Sequence, residues 1–298
     1  MTACMKRSFS LATAAVVAAT LGVAPLAGTP ALEERTIFVT VLGANDSGPV
    51  LEGLSAANFS VMEDNVARKV TGLAAAADVP ITAMLLIDTT RRSTNTVQDL
   101  RKGVVAYASQ VLQINPQNQV GVIGFGGQAN VLQAPTSNIE DITKMSTRIV
   151  ANTDGSSVLN EAFMEASQVL QKVSTARKMI VTVNHEPADE FSQVPFPEVA
   201  KAVQASGATV YSISIVQGQK RDPGRESLLN ALTNNSGGLY FGIGTPSGLV
   251  GVMQSLGFLA AVQYAVSFER PDGAAPAQQT VVQVNQPGMR ALTNQWAG

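Results

Sequence analysis

After position 4 the chain has no cysteine, and in its 298 residues it has a single histidine, His185. The first absence excludes disulfides and thiol chemistry from everything beyond Cys4. The second limits general-base chemistry to one imidazole. Charge is scarce as well: Asp, Glu, Lys and Arg make up 14% of the sequence, and the formal net charge is −2. No long run of either sign occurs, so neither nucleic acid nor an anionic membrane surface is indicated as a partner.

Long apolar runs are equally few, and the one that stands out is at the start. Lys6 and Arg7 form a short basic region, Phe9 to Val23 is apolar and small, and small residues follow around Gly28, Thr29 and Ala31. That order is a secretory signal peptide, with cleavage expected after Ala31. The run is shorter than the ~20 residues a membrane span needs, and Pro25 and Gly28 break it, so no stable insertion is expected after cleavage. Cys4 precedes the apolar run and would leave with the leader, so it does not mark a lipid anchor. Loss of Lys6 and Arg7 takes the formal charge from −2 to −4. An exported protein, periplasmic or extracellular, is the expectation.

Residues 32–79 read as a small β segment. Thr36 to Leu42 is β-branched, Asn45 to Gly48 is a turn, Leu54 to Phe59 a single helical turn, and Ser60 to Glu63 and Arg68 to Leu73 are strands. Residues 80–262 then alternate strands with helices. The apolar run Ala83 to Ile87 stops at Asp88, and Thr96 to Ile114 is an amphipathic helix. Val120 to Phe125, Lys178 to Val183 and Thr209 to Val216 are further apolar strands, with Ala129 to Gln133 as an edge. Helices are expected at Ile139 to Val150, Val158 to Lys172, Pro197 to Ser206, Arg225 to Asn234 and Pro246 to Ala261. Strands apolar enough to be covered on both faces predict a doubly wound, mostly parallel, Rossmann-like α/β sheet. Residues 263–298 return to β character, at Tyr264 to Glu269 and Thr280 to Asn285. Neither terminal piece buries its own apolar face, so the two are expected to pair into one small β domain.

Asp88 is the first candidate for chemistry, because ligands of open α/β sheets sit at the carboxyl ends of the strands. Capping of the following helix is the plainer role for the same residue. Gly124 to Ala129 matches G-x-G-x-x-A, but Asn130 to Pro135 looks extended, whereas a dinucleotide site needs a helix there. His185 follows a strand and so sits near Asp88. A hydrolase built from His185 and the edge hydroxyls is conceivable, although no Gly-x-Ser-x-Gly elbow exists. A loop histidine without catalytic work, flanked by solvated Glu186, Asp189 and Glu190, is the plainer reading.

Several stretches together resemble the von Willebrand factor type A domain, in the exported, acidobacterial-type proteins where a β segment precedes it. They are L-L-I-D-T-T-R-R-S at Leu85 to Ser93, V-G-V-I-G-F at Val120 to Phe125, D-G-S-S-V-L-N-E-A at Asp154 to Ala162, and R-K-M-I-V-T-V-N at Arg177 to Asn184. G-L-S-A-A-N-F-S-V-M-E-D at Gly53 to Asp64 and Q-Y-A-V-S-F at Gln263 to Phe268 extend the likeness to nearly all of the chain after the leader.

The resemblance implies a metal-ion-dependent adhesion site holding Mg²⁺ or another divalent cation. Its pattern is Asp-x-Ser-x-Ser, a Thr on a later loop, and a second Asp. Here Asp88 matches the first acid, Thr90 replaces the first Ser, Arg92 stands at the second Ser, Ser157 replaces the Thr and Asn184 the second Asp. Asp88, Thr90, Ser157 and Asn184 are therefore the candidate metal ligands. With one acid in place of two, a hard cation loses much of its attraction, which implies no resident cofactor or a divalent ion at low affinity. The Arg92 guanidinium is placed to pair with Asp88 and do the ion's charge balancing. The expected function is a non-enzymatic, exported protein-interaction or adhesion module with a degenerate metal site, its edge formed by Asp88, Thr90, Arg92, Ser157 and Asn184. The hydrolase, and a structural protein whose site has decayed, are the alternatives.

Overall fold

The computed structural model describes residues 31–187, 189–216, 218 and 221–296. Residues 1–30, with Cys4 and all but the last residue of the expected leader, lie outside these residues. In chain order the elements are β1 (Leu32–Leu42), β2 (Phe59–Glu63), β3 (Val66–Ala75), β4 (Ile81–Ile87), α1 (Val97–Ile114), β5 (Gln119–Gly124), β6 (Asn130–Thr136), α2 (Ile139–Ser146), α3 (Leu159–Gln171), β7 (Arg177–Glu186), α4 (Phe196–Ser206), β8 (Thr209–Val216), α5 (Pro223–Ser236), β9 (Tyr240–Ile243), α6 (Leu249–Ala261), β10 (Tyr264–Pro271), β11 (Thr280–Val284) and β12 (Arg290–Thr293).

They build two six-stranded sheets. The inner one has the order β6-β5-β4-β7-β8-β9 and is parallel except where β6 returns antiparallel along β5. Every residue of β4 is buried, which is what a continuous apolar strand needs to sit mid-sheet between two helical layers. Ile81, Ala83, Leu85 and Ile87 face α1, α2 and α6, while Met84 and Leu86 face α3, α4 and α5. Strand order reverses between β4 and β7, so the switch-point crevice lies at the end of β4, where Asp88 begins the loop.

The outer sheet, β11-β2-β3-β10-β1-β12, joins both ends of the described chain. β10 lies antiparallel between β1 and β3, and β11 pairs with β2, so the C-terminal strands complete the N-terminal β segment. The Thr280 N–H donates to the Gln295 carbonyl at 2.9 Å, drawing the two edge segments together and leaving the sheet nearly closed. Val39, Val61, Tyr264, Val266 and Phe268 fill its interior.

Arg177, at the start of β7, ties the sheets where the chain crosses between them. Its guanidinium donates to the carbonyls of Ala76 (2.7 Å) and Val79 (3.1 Å) on the way in, and of Ala260 (2.7 Å) and Ala261 (3.0 Å) on the way out. Burial pulls its pKa down to about 10.

The differences from the sequence reading are local. β7 runs on to Glu186, so His185 and Glu186 belong to a strand and are buried, not part of a solvated loop. α2 ends at Ser146, and β12 was not anticipated, its four residues being too short and polar to carry an alternation.

Candidate functional site

Three loops meet at the switch point. The turn after β4 carries Asp88 and Thr90. The turn after β5 holds Gly126, whose N–H donates to Thr89 Oγ1 at 2.9 Å. A Cβ at Gly126 would lie 2.3 Å from the Thr89 carbonyl oxygen, so the close approach requires glycine. The loop before α3 carries Ser157, and Asn152 on that loop donates its N–H to the Thr89 carbonyl at 2.7 Å.

Asp88 is buried and fully engaged. Its Oδ1 accepts from the Thr90 N–H at 2.9 Å, and its Oδ2 from the His185 N–H at 2.9 Å, with the His185 Nδ1 3.2 Å away. Burial pushes the carboxyl up, but contact with the His185 imidazole, the charge of Arg225 and Thr90 together win and hold it at about 2.

Arg92 does not neutralise Asp88. Its guanidinium points outward to Asp189 Oδ1 at 3.3 Å, since His185 already occupies the space against the carboxylate. The buried cation of the site is Arg225, in the first turn of α5. Asp222 caps that helix by accepting the Gly224 and Arg225 N–H groups (2.9 and 3.0 Å), and Pro223 occupies its first position, so the turn is held firmly. From there Arg225 Nη2 donates to Ser157 Oγ at 2.7 Å and lies 3.3 Å from Glu190 Oε2. Its Cζ sits 5.9 Å from the Phe125 ring centroid. Ser157 Oγ in turn donates to Glu190 Oε2 at 2.9 Å.

Asn184 takes no part in this cluster. Its amide donates to Thr182 Oγ1 (2.8 Å) and Ser212 Oγ (3.1 Å), along the polar seam between β7 and β8. His185, one residue later, is the residue that meets Asp88. The adjacent Glu186 accepts the Asp222 N–H at 3.1 Å, and burial raises its carboxyl, only partly opposed by that N–H.

A divalent cation does not fit this donor set. Asp88 is the one acid of the expected ligands and both of its oxygens accept backbone N–H groups, Asn184 Oδ1, although without a partner of its own, is carried on an amide held to Thr182 and Ser212, and a guanidinium already holds Ser157. Among the described residues no three His, Cys, Asp or Glu side chains gather where one ion could take them.

Of the expected edge residues, Asp88, Thr90, Ser157 and Asn184 are all buried, and Arg92 alone reaches solvent. The accessible rim above them is made by Arg91, Arg92, Asp189 and Phe191, the last 63% exposed. Beside it lies a groove of about 710 Å³ lined by Gln128, Asp154, Glu161, Glu165, Phe191 and Gln193 among others. Arg225 has no part in the sequence reading, and Glu190, expected only as a solvated acid beside His185, lies on Ser157 and Arg225 instead. The Asp222-Pro223 helix start was the available signal, since it sets Arg225 in a first turn at the carboxyl edge of the sheet.

The His185 imidazole also reaches Thr96, with Nε2 2.7 Å from Oγ1. Asp88, His185 and Thr96 thus stand in the order of a hydrolytic triad, but they are 1%, 4% and 2% exposed. Thr96 Oγ1 also lies 3.0 Å from the Ser93 carbonyl, a second acceptor for its one proton, and burial shuts all three residues off from a substrate.

The sequence profile of the von Willebrand factor type A domain matches residues 83–184. No curated protein matches the chain. Among solved structures, a von Willebrand factor type A protein from Catenulispora acidiphila is similar over 89% of this chain and 72% of its own, at 11% identity and a TM-score of 0.50. Proximal thread matrix protein 1 from the mussel byssus is similar over 63% of this chain and 50% of its own, at 17% identity and a TM-score of 0.51. At such identities the likeness is one of fold. Profile and fold agree: the α/β part of the chain is a von Willebrand factor type A domain.

Proposed function

We propose that this von Willebrand factor type A domain is a non-enzymatic protein-recognition module, exported to the periplasm or beyond, that engages its partner at the carboxyl edge of the parallel sheet without a divalent cation. The observation that carries the reading is the 2.7 Å contact of Arg225 with Ser157, which puts a fixed protein cation where the resemblance places a metal. The rim of Arg91, Arg92, Asp189 and Phe191 offers charge of both signs beside an exposed aromatic, the mixture expected of a recognition surface. Export rests on the leader alone. Against a hydrolase using His185 stands the burial of Asp88, His185 and Thr96 alike.

Photo-crosslinking from position 191, in the organism that makes the protein, tests the proposal. The expected result is one discrete adduct that persists in chelator and is missing when the crosslinker is placed at Val66, exposed on the outer sheet. Adducts that need Mg²⁺, or that form equally well from position 66, would overturn it.

A further inference from the structure

The two edges of the parallel sheet are treated differently. β6, at one end, contains Pro135, which has no N–H to offer, and two of its carbonyls already take side-chain donors: Leu132 from Arg148 Nη1 at 3.0 Å and Ala134 from Gln133 Nε2 at 3.1 Å. β9, at the other end, has none of these protections among the described residues. The Leu239 carbonyl accepts the Ser212 N–H at 2.9 Å, so along the parallel ladder it is Tyr240 and Gly242 that turn their N–H and C=O groups away from β8. Arg221 lies over the Tyr240 ring, but its charge is spent on Glu226. We propose that this free edge, with the cleft beside it, receives an extended, uncharged apolar segment of a partner protein as an added strand.

The cleft has a volume of about 560 Å³ and is lined by Leu42, Pro49, Phe241, Val252, Leu256 and Leu259 among others. Leu42 comes from the outer sheet, Phe241 from the inner one and Leu256 from α6, so the cleft exists only where the two sheets are joined. α6 carries no charged residue in its 13 positions, and so apolar a helix calls for cover on every side. α1 covers one flank, where a Cβ at Gly103 would lie 3.3 Å from Leu249 and Met253. On the open flank Gly251 is exposed, and a Cβ there would meet nothing within 4 Å. The charged residues that line the cleft, Asp46 and Arg290, are spent on each other at 2.6 and 2.8 Å. A charged side chain entering it would lose water and gain no partner, so the complementary segment is uncharged. Strand residues alternate sides, so one set of its side chains enters beside Phe241 while backbone hydrogen bonds to Tyr240 and Gly242 fix its register. The site shares no residue with the rim of Arg91, Arg92, Asp189 and Phe191 and does not depend on recognition there.

Panning a phage-displayed library of random linear peptides on the full mature protein tests the proposal. Selected peptides are expected to alternate apolar and polar residues, with no charge in the apolar set, and to bind equally well at low and high salt. Gly251→Leu fills the cleft from an exposed helix position, and Gly242→Pro removes an N–H that the ladder with β8 does not use, so both variants should keep the wild-type circular dichroism. Each should weaken the synthesised peptides by about tenfold or more. Should either variant not fold, amide exchange at Tyr240 and Gly242 of wild type, slowed on adding a selected peptide, decides in its place. An empty selection, peptides that bind both variants as tightly as wild type, or exchange that the peptide leaves unchanged overturns the proposal. A wild-type dimer in sedimentation that Gly251→Leu splits would give the edge to a second copy of this chain and overturn it as well.

Discussion

Asp88 and His185 meet twice on one oxygen: Oδ2 of Asp88 accepts the His185 backbone N–H at 2.9 Å and lies 3.2 Å from the imidazole Nδ1. The contact closes the crevice between β4 and β7. It turns an acid expected to face a ligand into an internal fastener, with the imidazole continuing to Thr96 on the α1 side.

Asp88→Asn should therefore destabilise the domain at neutral pH, by about 3 kcal/mol, because an amide NH2 in place of one oxygen leaves the buried Thr90 or His185 backbone N–H without its acceptor. The folded-state pKa of Asp88 is depressed to about 2, so its contribution is fully present above the unfolded value near 4 and is lost as pH falls through 2. Urea titrations of wild type and variant should converge by roughly 2 kcal/mol between pH 5 and pH 2. A constant gap across that range would mean that Asp88 is not held ionised by these partners.

The architecture was legible because periodicity reports burial. The unbroken run before Asp88 could only be a strand covered on both faces, and the incomplete termini had to find each other. The site was less legible because side-chain direction at a strand end is decided by tertiary contacts. Arg92 is next but three to Asp88 in sequence yet turns to Asp189, whereas Arg225, remote in sequence, arrives through the placement of α5. Likewise one residue of register separates Asn184, spent on Thr182 and Ser212, from His185, which meets Asp88.

The leader gives a mass prediction. Protein recovered from outside the producing cell's cytoplasm should begin at Leu32, with Cys4 absent. Intact-mass measurement checks this, and a mass retaining residues 1–31 would remove the basis for export.

Arg177 should matter more to stability than any single rim residue. Arg177→Met keeps the apolar stem but leaves the Ala76, Val79, Ala260 and Ala261 carbonyls without their donor, for an expected loss of about 3 kcal/mol or more. Arg177→Lys should recover only part, since an ammonium cannot fork toward both chain crossings. Denaturant unfolding followed at Trp296 and by far-ultraviolet circular dichroism checks both variants. A loss under about 1 kcal/mol for Arg177→Met would show that the crossings hold without the staple.

The metal gives the most discriminating test. Restoring the adhesion pattern by sequence alone, with Arg92→Ser and Asn184→Asp, changes one side chain that points to Asp189 and another that is bound to Thr182 and Ser212. Neither change removes the guanidinium from Ser157 or sets a second carboxylate against Asp88. The double variant should therefore give no Mg²⁺ or Mn²⁺ heat by calorimetry, as should wild type. Divalent binding should require Arg225→Ala to vacate Ser157 together with His185→Asp to place a second carboxylate against Asp88, because a hard cation needs oxygen ligands and negative charge at the same point. Asp88→Ala in that background should abolish the binding again. Micromolar Mg²⁺ affinity in the unmodified protein would show that the Asp88 and Arg225 contacts give way to an ion, and the domain would then be an ordinary metal-dependent one.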